Sequence, residues 1–205
     1  MNIASPPANG HKARSSKTRS HLIEAAIEVI GAVGYEGAST RALAKTANTT
    51  LSAIPHHFGG KKELYLAAAD MIAEHAAGRF DKALDPLDDN SIADKTVRLE
   101  QALTNFLNII LENAEPYSWT SFVARCTYDN DEAFTVIYER AIAPMLERLV
   151  QTASDVSGRA PDDEALRLRI SAIVTSIISF RFLRGIILRG MAWSEIQSSS
   201  IGQIE

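Results

Sequence analysis

The sequence has 205 residues, and its 46% hydrophobic content fits a folded protein with a core of normal size rather than a disordered chain. Its single cysteine, Cys126, excludes an internal disulfide and predicts a reducing, cytoplasmic location. The polar N-terminus lacks the apolar segment of a signal peptide, and three arginines interrupt the most apolar stretch, residues 170–191, which argues against a membrane-spanning helix.

Charge is distributed unevenly, although the net charge is only −4. Residues 1–66 contain eight Lys and Arg against four Glu, whereas the rest of the chain is acidic. Residues 1–23 contain four basic residues and no acidic one. A basic end on an acidic chain predicts an anionic partner for that end, and a solvated tail that aids solubility is the alternative explanation.

Helical periodicity dominates the N-terminal region. Apolar residues recur at three- and four-residue steps between residues 22 and 33, and Gly34 follows as a predicted helix stop. A longer helix is predicted from Lys61 to about Leu84, where Asp-Pro ends it.

Between these two helices the sequence predicts a pair of short ones, over residues 40–47 and residues 51–58, with Ser39 and Thr50 as N-caps. Two short helices joined by about three residues have the layout of a helix-turn-helix. This motif needs a small residue where the helices cross and a residue in the turn that tolerates a left-handed conformation. It also needs an apolar residue that packs the second helix against the first. These residues are Ala44, Asn48 and Ile54.

Beyond a polar break at residues 86–91, the apolar spacing continues to predict helices. Pro144 is expected to kink or split one of them. No alternating strand pattern occurs, so the predicted fold class is all-α. The predicted helices lie near residues 91–113, 116–127, 130–154 and 162–189, with a short tail helix near residues 193–199.

The segment beginning at Gly34, GYEGASTRALAKTANTTLSAIPHHFGGKKELYLAA, resembles the DNA-binding signature of TetR-type (TetR/AcrR family) transcriptional regulators. That signature combines a first helix ending in Gly-aromatic, a helix-turn-helix, and aromatic-x-Phe-Gly-x-Lys-x-x-Leu opening a long fourth helix. The resemblance covers about 50 residues, and the remaining part is similar to the family in its helical layout.

The resemblance implies a homodimeric, cytoplasmic repressor that a small-molecule effector releases from a palindromic operator in double-stranded DNA. It also implies a three-helix helix-turn-helix domain followed by a helical-bundle domain for ligand binding and dimerisation. The expected organisation is a flexible basic arm (1–16), the DNA-binding domain (17–66, recognition helix 51–58), a connecting helix and linker (67–90), and the effector-binding and dimerisation domain (91–205).

DNA contacts are expected from the helix-turn-helix and from the helix starts, where the helix dipole favours phosphate. Base contacts are expected from Thr49, Leu51, Ser52 and His56. Backbone contacts or added positive charge are expected from Ser39, Thr40, Arg41, Thr50, His57 and Lys61. The hydroxyls of Ser39 and Thr50 would also suit N-caps in the absence of DNA.

Two further sites are predicted beyond the DNA-binding domain. Bulky apolar residues around an arginine suggest an effector pocket, and a helical core is the alternative explanation for them. Its predicted residues are Phe106, Ile110, Trp119, Phe122, Arg125, Phe134 and Tyr138. The helix over residues 162–189 is apolar around much of its circumference, which predicts pairing with a second subunit. The predicted interface residues are Ile170, Val174, Ile177, Phe180, Arg181 and Arg184.

Pro55 departs from the family pattern, which often has a phosphate-facing tyrosine there. As the fifth residue of a helix over residues 51–58, it would remove the backbone hydrogen bond to the Leu51 carbonyl. Asn48 stands where the family usually has glycine, and asparagine also tolerates the left-handed turn.

Other kinds of site are not supported by the sequence. His56 and His57 are adjacent on a helix and point about 100° apart, so they do not form a metal site. The Gly59–Lys62 segment lacks the Gly-x-x-x-x-Gly-Lys-[Ser/Thr] pattern of a nucleotide-binding loop. No cofactor, metal or catalytic cluster is predicted. The alternative to a DNA-binding regulator is an all-α small-molecule-binding protein or enzyme without sequence-specific DNA binding.

Overall fold

The computed structural model describes residues 8–112 and 115–194, and side chains from residue 13 onward. The described residues are helical apart from turns and short connections, so the predicted all-α class is confirmed for them. The helices are α1 (Ala8–Gly37), α2 (Thr40–Thr46), α3 (Ala53–Phe58), α4 (Lys61–Ala83), α5 (Asp85–Asp88), α6 (Lys95–Leu111), α7 (Tyr117–Asp129), α8 (Glu132–Ile137), α9 (Ala143–Ser157), α10 (Glu164–Phe182) and α11 (Arg184–Met191).

The described residues form two units. The head unit consists of residues 8–72 and 117–136, and the body unit consists of residues 73–112, 115–116 and 137–194. This division differs from the predicted domains, because α7 and most of α8 belong to the same unit as the helix-turn-helix. Packing of α7 against α1 accounts for the difference.

Helix α1 carries the apolar face that the sequence predicts. Leu22, Ala26, Ile27 and Ile30 are almost fully buried, while Val33 at the end of the pattern is 52% exposed. Gly34 has φ 79° and ψ 167°, so the regular helix stops there, as predicted. The predicted flexible arm over residues 1–16 differs from the structure, because α1 begins at Ala8. Residues 1–7 lie outside the described part.

The backbones of α1 and α7 approach each other closely at Gly31. A Cβ atom at Gly31 would lie 2.6 Å from the Ser118 carbonyl oxygen and 3.3 Å from the Phe122 nitrogen. A side chain at this position would push the two helices apart, so glycine is required for the approach. Phe122 and Cys126 on α7 are fully buried, and burial raises the pKa of the Cys126 thiol to about 12.

The body unit has its own core between α5, α6, α9 and α10. Phe106 and Leu149 are fully buried there, and the Phe80 ring meets the Phe106 ring edge-on at 5.2 Å. Asp94 and Asp163 cap α6 and α10 by accepting hydrogen bonds from backbone N–H groups at 2.8 Å.

Two irregularities interrupt the predicted helices of the body unit. The element predicted over residues 130–154 is split as expected near Pro144, where a π-helical turn over Tyr138–Ile142 precedes α9. The element predicted over residues 162–189 is not one helix, because the chain bends by 75° between α10 and α11. Leu183 at the bend leaves helical geometry with φ −104° and ψ 18°.

No single helix within residues 8–112 and 115–194 has the length and apolar character needed to cross a membrane, and only the bent pair α10 and α11 passes that test by length and composition together. The tail helix predicted near residues 193–199 falls mostly outside the described part. Residues 193 and 194, which are described, are not helical.

We predict that Gly31→Ala destabilises the protein by about 1–3 kcal/mol, because the added methyl group meets the backbone of α7. Gly78→Ala is the matched control, since a Cβ there has no neighbour within 4 Å. This control should stabilise α4 by about 0.5–1 kcal/mol. Urea unfolding followed by circular dichroism measures both effects, and equal stabilisation by the two changes would contradict the close approach.

Candidate nucleic-acid interface

The helix-turn-helix forms at the predicted positions. Ala44 and Ile54 are buried, with 4% and 1% exposure, where α2 and α3 meet α1 and each other. Asn48 has φ 50°, in the left-handed region expected for the turn. Its N–H donates to the Lys45 carbonyl at 3.0 Å, and the Thr49 N–H donates to the Ala44 carbonyl at 2.9 Å. The turn is therefore fixed by backbone hydrogen bonds.

Helix α3 is shorter than the recognition helix predicted over residues 51–58, because it begins at Ala53. This start places Pro55 in the first turn, where a backbone N–H has no partner within the helix. No intrahelical hydrogen bond to Leu51 is therefore lost. Thr50 does not cap the helix with its side chain; its hydroxyl lies 3.1 Å from the Ser52 hydroxyl instead.

The residues expected to read bases lie around the start of α3. Leu51, which is 52% exposed, and Ser52 lie in the turn before the helix, and His56 is exposed on it. An apolar group of this size exposed beside polar ones suits contact with a thymine methyl group. Thr49 and His57 are half-buried. The His56 and His57 rings meet edge-on, with their centroids 4.9 Å apart and an angle of 71° between the ring planes.

Groups expected to face phosphates lie at the starts of α2 and α4. Ser39 is exposed and caps α2, with its hydroxyl oxygen accepting from the Ala42 N–H at 3.1 Å. Thr40 is half-buried and Arg41 is exposed in the first turn of the same helix. Lys61 begins α4, and its ammonium lies 4.1 Å from the centre of the Tyr35 ring. A cation–π contact orients the ammonium without neutralising its charge.

Lys62, the next residue of α4, has a different environment. Its ammonium pairs with the Glu132 carboxylate at 2.8 Å, and this partner raises the pKa of Lys62. The pair is exposed and so contributes little to stability. The two adjacent lysines therefore differ in their partners, one facing an aromatic ring and the other a carboxylate.

Arg125 on α7 holds the C-terminal end of α1. Its Nε donates to the Gly31 carbonyl at 2.8 Å, and its Nη2 donates to the Ala32 carbonyl at 2.7 Å. These carbonyls belong to the last turn before Gly34, where helix acceptors have no partner within the helix and the dipole favours positive charge. The structure thus gives Arg125 a structural contact that differs from its predicted role as the polar anchor of an effector pocket.

The connection between α7 and α8 is tied to the first turns of α4. The Tyr65 hydroxyl donates to the Asp131 carboxylate at 2.7 Å, and the Tyr65 ring packs 5.2 Å from the Phe122 ring. Burial, with this hydrogen bond, raises the pKa of Tyr65. Asp131 also caps α8 by accepting from the Phe134 N–H at 3.1 Å. The sequence does not predict the contact between Tyr65 and Asp131, because the two lie 66 residues apart in the chain.

The predicted effector-pocket residues divide between the two units. In the head unit, Phe122 is buried and Trp119 and Phe134 are half-buried. In the body unit, Phe106 and Ile110 are buried in the core, whereas Tyr138 is 42% exposed. Their role in binding an effector stays a prediction.

The predicted dimer-interface residues mostly face their own subunit. Ile170 and Val174 are buried in the body core, with 5% and 2% exposure, so a partner could cover almost nothing more of them. Ile177 and Phe180 pack against that core. Arg181 and Arg184 donate to backbone carbonyls at the end of α6. The exposed apolar side chains of α10 and α11 are instead Leu168, Ile173, Phe182, Ile186 and Met191.

We predict that Arg125→Met destabilises the head unit by about 1–2 kcal/mol, since two charge-assisted hydrogen bonds to α1 are lost. Arg125→Lys keeps the charge near the helix end but cannot donate to both carbonyls from one planar group. The expected loss of stability is therefore smaller than for Arg125→Met. Thermal unfolding of the two variants tests this order. Equal stability of the methionine variant and the parent would show that the contact contributes nothing.

Two family descriptions match separate parts of the chain. Residues 22–68 match bacterial regulatory proteins of the tetR family. Residues 96–205, more than half of the chain, match the C-terminal domain of the HTH-type transcriptional dual regulator CecR.

Individual relatives are also transcription regulators. The HTH-type transcriptional dual regulator CecR of Shigella flexneri is 26% identical over 186 residues, covering 88% of this chain and 83% of the relative. The repressor AcnR of Corynebacterium glutamicum is 29% identical over 108 residues, covering 53% of this chain and 48% of that protein. The nicotine-responsive repressor HdnoR of Paenarthrobacter nicotinovorans is 31% identical over 133 residues, covering 62% and 66%. All three are named as transcriptional regulators or repressors.

Solved structures share the fold. HlyIIR, a hemolysin II transcriptional regulator, has a TM-score of 0.58 at 18% identity, covering 85% of this chain and 93% of its own. A mutant form of HlyIIR has a TM-score of 0.60 at 22% identity, covering 91% and 96%. These likenesses concern the fold alone. The two family matches and the curated relatives show that the chain belongs to the tetR family and is a DNA-binding transcriptional regulator whose C-terminal domain is of the CecR type.

Proposed function

We propose that this regulator is a homodimeric repressor that binds a palindromic operator in the cytoplasm and leaves it when a small-molecule effector binds. The observation that carries the DNA-binding part is the surface around the start of α3. There a turn fixed at Asn48 leaves Leu51, Ser52 and His56 exposed, with Lys61 nearby in the chain at the start of α4.

Roles within this surface follow from the chemistry of its groups. Thr49, Leu51, Ser52 and His56 read base edges in the major groove. Ser39 and Thr40 at the start of α2, and Lys61 at the start of α4, hold phosphates, because helix dipole and hydrogen-bond donors both favour an anion there. Thr50, His57 and Arg41 add backbone contacts, which position the protein without specifying sequence.

Dimerisation is supported by the apolar side chains that α10 and α11 leave uncovered. Leu168 and Ile186 are 69% and 68% exposed, and Ile173, Phe182 and Met191 add to the apolar surface of the same two helices. An exposed apolar face on otherwise packed helices is typical of a subunit interface. A symmetric dimer presents two recognition surfaces, so its operator is an inverted repeat with half-sites about 34–36 Å apart or a multiple of that spacing.

Effector control is supported by one relative, HdnoR, which is named as nicotine-responsive. An effector acts by binding one of two conformations better and shifting the population toward it. Helix α4 begins in the head unit and ends in the body unit, so it is one direct covalent route for such a shift.

We predict that Lys61→Ala weakens binding to all duplexes by about five- to tenfold at about 0.1 M salt and lowers the salt slope by about one unit, because one phosphate contact is lost. Lys62→Ala is the matched control, since Lys62 pairs with Glu132 and should change affinity less. Fluorescence anisotropy at several salt concentrations measures both. A change in sequence preference without a loss of affinity would assign Lys61 to base reading instead.

The experiment that tests the proposed function is a binding selection from randomised duplex DNA, followed by titration of the selected sequences. An enriched inverted repeat bound by two subunits supports the proposal and supplies the operator. The same selection repeated with Ser52→Ala or His56→Ala should enrich different bases in the operator than the parent protein does. Salt-sensitive binding without sequence preference would contradict the reading role of the residues around α3.

A further inference from the structure

A cluster of charged side chains in the body unit surrounds Glu115, which precedes α7 in the chain. One carboxylate oxygen, Oε1, accepts from Arg79 and lies 3.2 Å from His75 Nε2. The other, Oε2, lies 2.7 Å from the Arg181 guanidinium. We call Arg79 and Arg181 the cationic site; His75 lies beside it. Each of the two arginines thus holds one oxygen of the same carboxylate.

The two arginines are also fixed by groups other than Glu115. Arg79 donates to the Ile109 carbonyl at 3.3 Å and pairs with the Glu112 carboxylate at 2.6 Å. Arg181 donates to the Glu112 carbonyl at 3.2 Å. These carbonyls belong to the C-terminal end of α6, where the helix dipole attracts cations. The guanidinium groups therefore stay in place whether or not Glu115 occupies the site.

The cationic site is sheltered from water. The side chains of Arg79, Arg181 and Glu115 are only 18%, 19% and 12% exposed. Burial acts to raise the pKa of Glu115, but Arg181 and the hydrogen bond from Arg79 outweigh it and hold that pKa below its usual value. Glu115 is thus held as a carboxylate, the form that two guanidiniums bind best.

The two positive charges of the cationic site are balanced by the Glu115 carboxylate. Removing Glu115 takes away the carboxylate that both guanidiniums share, and the Glu112 carboxylate that remains beside Arg79 is 59% exposed and largely screened by water. A sheltered guanidinium without a counter-charge is costly. The loss of this shared carboxylate favours binding of another one, and Glu115 is the carboxylate that the chain itself provides.

We propose that the cationic site of Arg79 and Arg181 is a carboxylate-binding site that Glu115 occupies in the absence of effector, and that an organic carboxylate effector binds there by displacing Glu115. This inference rests on the proposed effector control and names the chemical class of the effector. The entering carboxylate takes the same contacts, with one oxygen on Arg79 and His75 and the other on Arg181.

Displacement of Glu115 has a direct consequence for the chain that follows. Only Pro116 separates Glu115 from Tyr117, the first residue of α7. Release of Glu115 frees the N-terminal end of α7, and the same helix holds α1 through Gly31 and Arg125 in the head unit. The expected result is a change in DNA affinity.

The test removes Glu115 and supplies a carboxylate from solution. Glu115→Ala should bind acetate, measured by ligand-observed NMR, at least about tenfold more tightly than the parent protein, because the internal competitor is absent. Acetamide, which has the same shape without the charge, should not bind. The double variant Glu115→Ala/Arg181→Met should lose acetate binding. Glu147→Ala is a matched control, since it removes an exposed carboxylate from Arg167 and should create no acetate site.

A second variant covers the case in which Glu115→Ala does not fold. Glu115→Gln keeps the side-chain shape and weakens the internal competitor, so it should bind acetate more tightly than the parent by about threefold or more. Acetate binding to either variant that is no tighter than to the parent, or that survives the Arg181→Met change, overturns the carboxylate site.

The regulatory part is tested with the selected operator. Acetate should change the DNA affinity of Glu115→Ala at least about threefold, whereas sodium chloride at equal ionic strength should not. If acetate binds and DNA affinity does not respond, the effector role of the site is wrong. The NMR experiment contains no DNA, so its outcome is independent of whether the proposed operator binding is correct.

Discussion

The head unit depends on the close approach of α1 and α7 at Gly31. Because the two backbones meet there without an intervening side chain, α7 packs closely against α1. Arg125 on α7 can therefore reach the carbonyls at the C-terminal end of α1. The following connection then brings Asp131 to Tyr65 on α4. The helix-turn-helix and α4 therefore rest on a segment that lies more than 60 residues further along the chain.

Arginine side chains donate to the terminal backbone carbonyls of two helices in this protein. Arg125 covers the carbonyls that end α1, and Arg79 and Arg181 cover those that end α6. In both places cations satisfy acceptors that the helix itself leaves unpaired, and the helix dipole adds to the attraction. The second place also holds a carboxylate, that of Glu115. A structural contact in the head unit thus has a counterpart in the body unit with an exchangeable partner.

Features that depend on a few neighbouring residues could be predicted from the sequence. Ser39 as a cap, Gly34 as a stop and Asn48 as a left-handed turn residue all have their reason within one helical turn. The contact partner of Arg125 could not be predicted, because it lies 94 residues away and periodicity carries no information about it. The same limit applies to Ile170, where an apolar stripe does not distinguish the subunit's own core from a partner's surface.

Helix α3 accommodates Pro55 by beginning at Ala53, two residues later than the sequence predicts. With Ala53 as its first residue, α3 keeps its backbone hydrogen bonds, and the preceding residues, Leu51 and Ser52, lie in a turn that contributes little to the core. Under the proposed roles, substitutions at these two positions change which bases are read and leave folding almost unaffected. Operator preference can then diverge under weak constraint from stability, because the residues proposed to read bases are not the residues that pack the core.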